Sequence, residues 1–142
     1  MKASIHCAGA VASRVTLGSH DLVFDQPENV PGGSDRGPSP LDVLAVSIAA
    51  CTHYYAAAVL FARKLPTGGL VVEVEAEKSA LPAPRLARIL MRVKLPAGTP
   101  ARYLPTIERA VRRCPAYGTL MHPPSVEVVI DSSETEPQLV NA

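Results

Sequence analysis

The stretch GPSPLDVLAVSIAACTHYYAAAVLFARKL, residues 37–65, decides the fold of this chain. Ser39 can accept a hydrogen bond as the N-cap of a helix, and Pro40 suits the first helical position. Asp42 then places a carboxylate in the first turn, where the helix dipole favours negative charge. The sequence therefore predicts a long helix over residues 40–64. Because apolar side chains cover every side of it, the helix is expected to be buried all round, and a chain of 142 residues can hardly enclose it alone.

Two other interpretations of this helix compete with that one. The helix is long enough to span a membrane, but Cys51, Thr52 and His53 occupy its middle. Its small apolar residues are mostly alanine rather than leucine. These features argue against a membrane span. In an ordinary core helix, Cys51 would be only a small buried hydrophobe, which is the usual fate of a free cysteine. This stretch by itself leaves that second alternative open.

Composition limits the possible classes of function. The length fits one domain, residues 1–130, followed by a polar and acidic tail, residues 131–142, that is expected to be flexible. A net charge of +1 without any basic tract excludes nucleic acid as an expected partner, and there is no polybasic patch for a membrane surface. The N-terminal MKASIHC lacks the apolar run of a signal peptide, so the expected location is the cytoplasm. In that reducing compartment, functional cysteines are more often reactive thiols than members of structural disulfides.

The rest of the chain predicts an α+β domain with antiparallel strands. The expected strands cover residues 11–16, 21–24, 70–78, 85–95 and 125–130. Residues 25–39, rich in proline and glycine, form a loop that leads into the long helix. A second helix is expected from about residue 99 to Cys114, with an irregular first turn at Pro105 and an end at Pro115. The apolar long helix further indicates a homodimer in which two such helices pack together under the sheets.

The surroundings of two cysteines resemble a known family. The segments GGSDRGPSPLDVL (32–44) and AACT (49–52), and later AVRRCP (110–115) with Thr119 and Leu120, are similar to the OsmC/Ohr superfamily of organic hydroperoxide reductases and their OsmC-like relatives. The resemblance runs from about residue 14 to residue 130. It implies an intertwined homodimer, with two central helices wrapped by antiparallel sheets and a thiol peroxidase site at the subunit interface.

The resemblance also implies a mechanism, and no metal or cofactor is expected. In members that are peroxidases, the first cysteine attacks an organic hydroperoxide and becomes a sulfenic acid. The second cysteine captures it as a disulfide, which a dithiol then reduces. Carried over by motif, Cys51 would be peroxidatic and Cys114 resolving. The expected position of Cys114 at a helix C-terminus opposes a thiolate, although Arg112 and Arg113 offset that field, so it suits a resolving role.

The activating charges depart from the family pattern. The best-characterised peroxidases carry an arginine in an N-terminal Gly-Gly-Arg turn and a glutamate directly after the proline that starts the helix. The nearest counterparts here are Gly9-Ala10 and Leu41. Arg36 and Arg14 are the candidate replacements for the activating cation, since either can approach Cys51 from the loop, the hairpin or a partner chain. The alternative for each is a solvated surface arginine.

Several other side chains are candidates near the thiol. Tyr54 and Tyr55, three and four residues after Cys51, share its helix face and are candidate substrate-binding residues, with core aromatics as the alternative. Asp42 is a further candidate at the substrate site. Because it lies about 13 Å along the helix from Cys51, a capping role is favoured over a catalytic one. His53 points to a different side of the helix and can reach a thiol only across a dimer interface.

The sequence thus supports one enzymatic function and two alternatives. The first is a peroxidase for organic hydroperoxides, because an apolar pocket around Cys51 favours such substrates. The second is an OsmC-like dimer that binds a small apolar or acyl ligand, or senses oxidation, without turnover. In the third, Cys51 and Cys114 are only core residues. Cys7 has no counterpart in the motif, and no second ligand pair has the spacing of a zinc site.

Overall fold

The computed structural model describes the backbone of residues 1–132 and 135–141, and side chains as far as Asp131. Three antiparallel strands precede a central helix, a strand pair and two shorter helices follow it, and a last strand pair ends the described chain. The elements are β1 Ser4–Cys7, β2 Ser13–Leu17, β3 His20–Phe24, α1 Pro40–Ala62, β4 Val71–Ser79, β5 Arg85–Lys94, a 3₁₀ turn Ala101–Tyr103, α2 Leu104–Arg112, α3 Pro115–Met121, β6 Glu127–Ser132 and β7 Thr135–Asn141. The predicted α+β class is confirmed.

Helix α1 begins as its sequence predicts. The Ser39 hydroxyl accepts a hydrogen bond from the Asp42 backbone N–H (3.2 Å) and donates one to the Asp42 carboxylate (2.6 Å). Lys78 of β4 reaches the other carboxylate oxygen at 2.6 Å. These contacts lower the pKa of Asp42, with the hydrogen bond to Lys78 as the largest cause and that to Ser39 next. The cap therefore also attaches the start of α1 to the neighbouring strand.

The helix ends two residues earlier than predicted because Lys64 adopts a left-handed conformation (φ 57°). The Leu65 N–H then bonds the Leu60 carbonyl (2.9 Å), and the Lys64 N–H bonds that of Phe61 (2.9 Å). This is the Schellman arrangement, with lysine where glycine is commonest. It turns Leu65 back onto the core formed by α1, α2 and the β4–β5 pair, whose buried members are Ala56, Leu60, Leu70 and Ile107.

The single chain buries α1 on one side only, so burial of the whole helix stays a prediction that requires a partner. Ala45, Ile48, Thr52, Ala56 and Leu60 are buried on the side facing the rest of the domain. The opposite side leaves large apolar residues open, and Tyr54 and Phe61 are 66% and 80% exposed. Among the described residues, α1 is long and apolar enough, by length and composition alone, to cross a membrane, a property that core helices of soluble proteins share.

The sheets contain elements that the sequence did not reveal. β1 pairs with β2 outside the predicted hairpin of β2 and β3. β6 extends to Ser132 and pairs with β7, so the backbone of residues 135–141 forms a strand that was not predicted. The flexibility of that tail stays a prediction, and residues 133, 134 and 142 of it lie outside the described residues. α3 begins at Pro115, the residue that was expected only to end a helix.

Candidate functional site

The fold brings Cys51 and Cys114 together. Cys51 lies half-buried near the middle of α1, whereas Cys114 is fully buried in the link between α2 and α3, both of which pack on α1. The Cys51 thiol is close enough to act on Cys114 through hydrogen bonding and charge. Both cysteines are free thiols. The motif that suggested a pair from sequence thus corresponds to two neighbouring thiols in space.

Opposing influences act on the Cys114 thiol. Burial is the largest and raises its pKa, and the hydrogen bond with Cys51 raises the pKa further. The backbone N–H groups of Tyr117 and Ala116 lower it, because Cys114 is the N-cap residue of α3. Cys114 directly follows the C-cap residue of α2, Arg113, as the sequence predicted, but it also stands at the N-terminus of α3, which was not predicted and which offsets the field of the α2 C-terminus. The net effect is a thiol that keeps its proton to higher pH than usual.

The loop before α1 is organised by one buried carboxylate. Asp25 is 1% exposed and accepts backbone hydrogen bonds from Gln26 (2.8 Å), Ser34 (3.3 Å) and Arg36 (3.2 Å). The bond from Gln26 is the main reason that the pKa of Asp25 is lowered. Gly33 fits only because it has no side chain, since a Cβ there would overlap the Pro27 carbonyl oxygen. Sequence analysis missed Asp25, although an aspartate entering a loop is typical of such local hydrogen bonding.

Arg36 extends from this loop to the turn between β1 and β2. Its guanidinium donates a hydrogen bond to the Ala8 carbonyl (2.6 Å) and lies beside Gly9. Arg14 is exposed on β2, where it pairs with His6 and Val23. Within the described residues, no hydrogen bond or ion pair joins either arginine to Cys51. Arg36 nevertheless places a guanidinium at the Gly9 turn, where the sequence lacks the expected arginine.

The remaining candidate residues differ in their burial and in their contacts. Tyr55 is half-buried and lines a cavity. Tyr54 is exposed in the single chain and meets the Tyr55 ring edge-on, with centroids 5.4 Å apart. The Asp42 carboxylate is engaged by Ser39 and Lys78, as expected of a capping residue. His53 is exposed on the open side of α1.

The cavity at Tyr55 has a volume of about 460 Å³ and lies between α1 and α2. Its lining residues are Tyr55, Thr106, Arg109, Ala110 and Arg113, and most of the surface that they present to the cavity is apolar. We call it the α1–α2 cavity. The sequence placed these arginines on the helix surface and gave no sign that they share a cavity with Tyr55.

A second cavity of about 360 Å³ lies among α1, β5 and α3. Its lining is largely apolar and includes Ile48, Leu86, Ile89, Met91, Leu120 and Met121, together with Tyr117. We call it the apolar cavity. Beside it, the Thr52 hydroxyl donates to the Met91 sulfur at 3.5 Å, which gives this buried polar group a partner. The cavity is missed from sequence because α3 itself was not predicted.

The third cysteine lies apart from the pair. Cys7 is exposed at the end of β1, and its thiol donates to the Gly9 carbonyl at 2.9 Å. Over the part of the chain that the structure describes, no three His, Cys, Asp or Glu residues are grouped as metal ligands.

Comparisons with known proteins agree with this fold. The family model for OsmC-like proteins matches residues 32–129. Comparison with the sequences of curated proteins gives no match. A crystal structure of an osmotic stress induced and detoxification response protein from Psychrobacter arcticus is similar, with a TM-score of 0.75 and 16% identity over 84% of this chain and 87% of that one.

Two further solved structures share the fold. An OsmC-like protein from Mycoplasma pneumoniae has a TM-score of 0.72 and 19% identity, over 86% of this chain and 87% of that one. An organic hydroperoxide resistance protein OsmC from Legionella pneumophila has a TM-score of 0.64 and 18% identity, over 84% and 87%. At these sequence identities, the similarity shows a shared fold and nothing more.

Proposed function

Since this chain belongs to the OsmC-like protein family, we propose that it is a cysteine-based peroxidase that reduces organic hydroperoxides and is recycled by a dithiol. The observation that carries the proposal is the closeness of Cys51 and Cys114, two free thiols of different exposure on elements that pack together. A pair of neighbouring thiols can give two electrons to the hydroperoxide and become one disulfide.

The chemistry follows from the exposure of the two thiols. The thiolate of Cys51, the more accessible sulfur, attacks the terminal oxygen of the hydroperoxide ROOH. The O–O bond breaks, RO⁻ takes a proton and leaves as the alcohol, and Cys51 becomes a sulfenic acid. The Cys114 sulfur then attacks the Cys51 sulfur, which expels water and forms the disulfide. A dithiol reduces this disulfide by thiol–disulfide exchange and is itself oxidised.

Burial of Cys114 suits it to the second step. A fully buried thiol with a raised pKa is a poor first nucleophile toward a substrate arriving from solvent. The backbone N–H groups of α3 lie where negative charge develops on Cys114 when it attacks the sulfenic acid. Cys51 therefore meets the peroxide first, and Cys114 resolves it before further oxidation.

Arg36 is the proposed source of the activating cation. Its backbone is fixed by buried Asp25, and its guanidinium is held at the Ala8 carbonyl, beside Gly9. A charge that reaches the active thiol from this turn would approach from a partner subunit. Arg14, exposed on the neighbouring strand β2, is the alternative source. Replacing either arginine should slow the attack by Cys51 and leave the disulfide-forming step intact.

A cytoplasmic homodimer completes the proposal. The side of α1 that faces away from the domain leaves four large apolar residues exposed: Leu44, Val46, Tyr54 and Phe61. A second copy of the same helix is the partner that would cover this face, as the family resemblance implies. The exposed apolar residues of β6, Val128 to Ile130, provide further surface for such an interface.

Steady-state turnover tests the proposed activity. The loss of cumene hydroperoxide is followed with dithiothreitol as reductant for the unaltered protein, Cys51→Ser and Cys7→Ser. Turnover that disappears in Cys51→Ser and persists in Cys7→Ser is the expected result. An unaltered protein that consumes peroxide no faster than dithiothreitol alone would refute the enzymatic function.

The second candidate function is ligand binding or oxidation sensing without turnover. The observation that favours it is Leu41 at the place where a glutamate activates the best-characterised peroxidases, combined with two cavities next to the thiol pair. A sensor would form the Cys51–Cys114 disulfide once with stoichiometric peroxide and would not be recycled efficiently. The turnover assay separates the two functions, because only the enzyme consumes many equivalents of peroxide.

A further inference from the structure

A buried hydroxyl group beside the apolar cavity is paired with a weak acceptor. Thr52 directly follows Cys51 on α1 and is 2% exposed. Among the described residues, its hydroxyl donates to the Met91 sulfur, at 3.5 Å. A thioether sulfur accepts hydrogen bonds poorly, and a buried hydroxyl without a good partner costs free energy. An oxygen atom bonded to the Met91 sulfur would therefore be a better partner for Thr52.

Met91 also lines the apolar cavity. Ile48, which lies one helical turn before Thr52 on the same face of α1, lines it as well. The volume of about 360 Å³ is within the range of sites that hold small organic molecules. Thioether sulfur is soft and polarizable, and peroxides oxidise it. The cavity therefore combines room for an apolar molecule with an oxidisable sulfur in its wall.

We propose that Met91 is a modification site, at which an organic hydroperoxide in the apolar cavity converts the thioether to a sulfoxide. A lone pair of the Met91 sulfur attacks the terminal oxygen of ROOH. The O–O bond breaks, and the proton of that oxygen passes to RO⁻, which leaves as the alcohol. The sulfur loses two electrons and the hydroperoxide gains them, so no further reactant is needed. The Thr52 hydroxyl donates to the oxygen that the sulfur has gained.

This inference goes beyond the proposed peroxidase function. It requires a hydroperoxide to enter the apolar cavity, but it requires neither turnover nor a reaction of Cys51. Because a sulfoxide is polar, the modified cavity is less favourable for apolar molecules. Methionine sulfoxide reductases can restore the thioether, so the modification is reversible.

The three methionines of the chain provide an internal comparison. Met1 and Met121 are 106% and 57% exposed, whereas Met91 is half-buried. An oxidant that acts from solvent should therefore modify Met1 and Met121 before Met91. Met121 lines the same cavity from a more exposed position. Oxidation of Met91 before Met121 therefore cannot follow from exposure to solvent.

The experiment treats Cys51→Ser with cumene hydroperoxide or with hydrogen peroxide and follows each methionine by mass mapping of its peptides. We expect Met91 to be oxidised first by cumene hydroperoxide and last by hydrogen peroxide, which is small and polar. In protein unfolded by urea, the three methionines should react alike with either oxidant. If cumene hydroperoxide oxidises Met91 no earlier than Met121 in the folded protein, the inference is overturned.

Two variants test the part of Thr52, each combined with Cys51→Ser. Thr52→Val has nearly the same shape without the hydroxyl, and it should slow the oxidation of Met91 by cumene hydroperoxide about fivefold, as the loss of one neutral hydrogen bond predicts. Thr52→Ser keeps a hydroxyl and should retain the rate. Oxidation of Met1 in the same samples is the control and should not change. Equal rates at Met91 in Thr52→Val and in the parent protein would overturn the donor role of Thr52.

These measurements are separate from the test of the peroxidase function. Cys51→Ser lacks the proposed peroxidatic thiol, so formation of the sulfoxide at Met91 does not report turnover. An unaltered protein that turns over cumene hydroperoxide, with a Met91 that is not oxidised preferentially, retains the peroxidase and overturns the modification site. Preferential oxidation of Met91 without turnover in the unaltered protein supports the modification site and refutes the enzyme.

Discussion

At the scale of single residues, the site depends on how three polar groups are buried. Cys114 is kept protonated mainly by burial, and Asp25 is kept ionised mainly by its backbone hydrogen bonds. Thr52 satisfies its hydroxyl with the Met91 sulfur. The contacts of each of these groups fix a segment that either lies against Cys51 or leads into its helix. The position of the Cys51 thiol therefore depends on its neighbours as well as on its own helix.

Replacement of Cys114 should expose Cys51 to overoxidation. In Cys114→Ala, the sulfenic acid has no thiol to capture it and proceeds to the sulfinic acid with excess peroxide. Intact mass of the protein after stepwise additions of peroxide measures this, with two added oxygens expected on Cys51. If Cys51 in this variant is no more readily overoxidised than in the unaltered protein, Cys114 has no resolving role.

The contribution of Asp25 to the free energy of unfolding should depend on pH in the acid range. Its pKa is lowered on folding, so its contribution to stability is present above the ordinary carboxyl pKa of about 3.8 and is lost as pH falls through the lower folded value. Asp25→Asn should therefore destabilise the protein at pH 7, with a difference that shrinks as the pH drops towards 3. Urea unfolding at several pH values measures both free energies. A difference that stays constant with pH would contradict the assigned role of the charge.

At the scale of elements, α1 combines a well-defined start with a two-sided surface. Its N-cap and its ion pair to β4 fix where it begins, while its Schellman turn returns the chain to the core. The face towards the domain holds Cys51 between two cavities, and the opposite face is apolar and open. One helix thus carries both the proposed site and the face proposed for association.

The N-cap should be measurable in the free energy of unfolding. Ser39→Ala removes the acceptor for the Asp42 N–H and should cost about 1 kcal/mol. Ser47→Ala is the matched control, because Ser47 is exposed inside the same helix and bonds only the Leu44 carbonyl. It should change the stability by less than about 0.5 kcal/mol. Equal changes in the free energy of unfolding for both substitutions would show that the Ser39 cap does not stabilise the protein more than an exposed serine inside the helix does.

How far the sequence predicts each element depends on how local its signals are. The start of α1 and the alternating strands β4 and β5 are predictable, because a cap and a two-residue period are encoded within a few residues. α3 is missed because proline was taken only as the end of one helix, although it also suits the first position of the next.

The contacts that shape the site are less predictable because they join distant segments. Arg36 reaches Ala8, and Tyr55 shares a cavity with Arg109. Neither contact leaves a periodic or local signal. The Cys51–Cys114 neighbourhood was anticipated only through the family resemblance of the two motifs.

At the scale of the whole molecule, the described chain leaves apolar surface on α1 and β6 that a second copy would cover. Phe61→Asp places a charge on that face without touching the buried core, and it should convert a dimer into a monomer. Light scattering coupled to size-exclusion chromatography measures the mass, and Glu108→Ala on exposed α2 is the control. A monomeric unaltered protein, or a variant that stays dimeric, would argue against this interface.

The redox pairing of Cys51 and Cys114 is tested most directly by counting thiols after one equivalent of cumene hydroperoxide. The reduced protein contains three cysteines, and mass mapping of its peptides identifies any disulfide. We predict rapid loss of two thiols, a disulfide between Cys51 and Cys114, a free Cys7, and no such disulfide in Cys51→Ser. An unchanged count of three thiols, or a disulfide that involves Cys7 instead, would contradict the proposed redox centre.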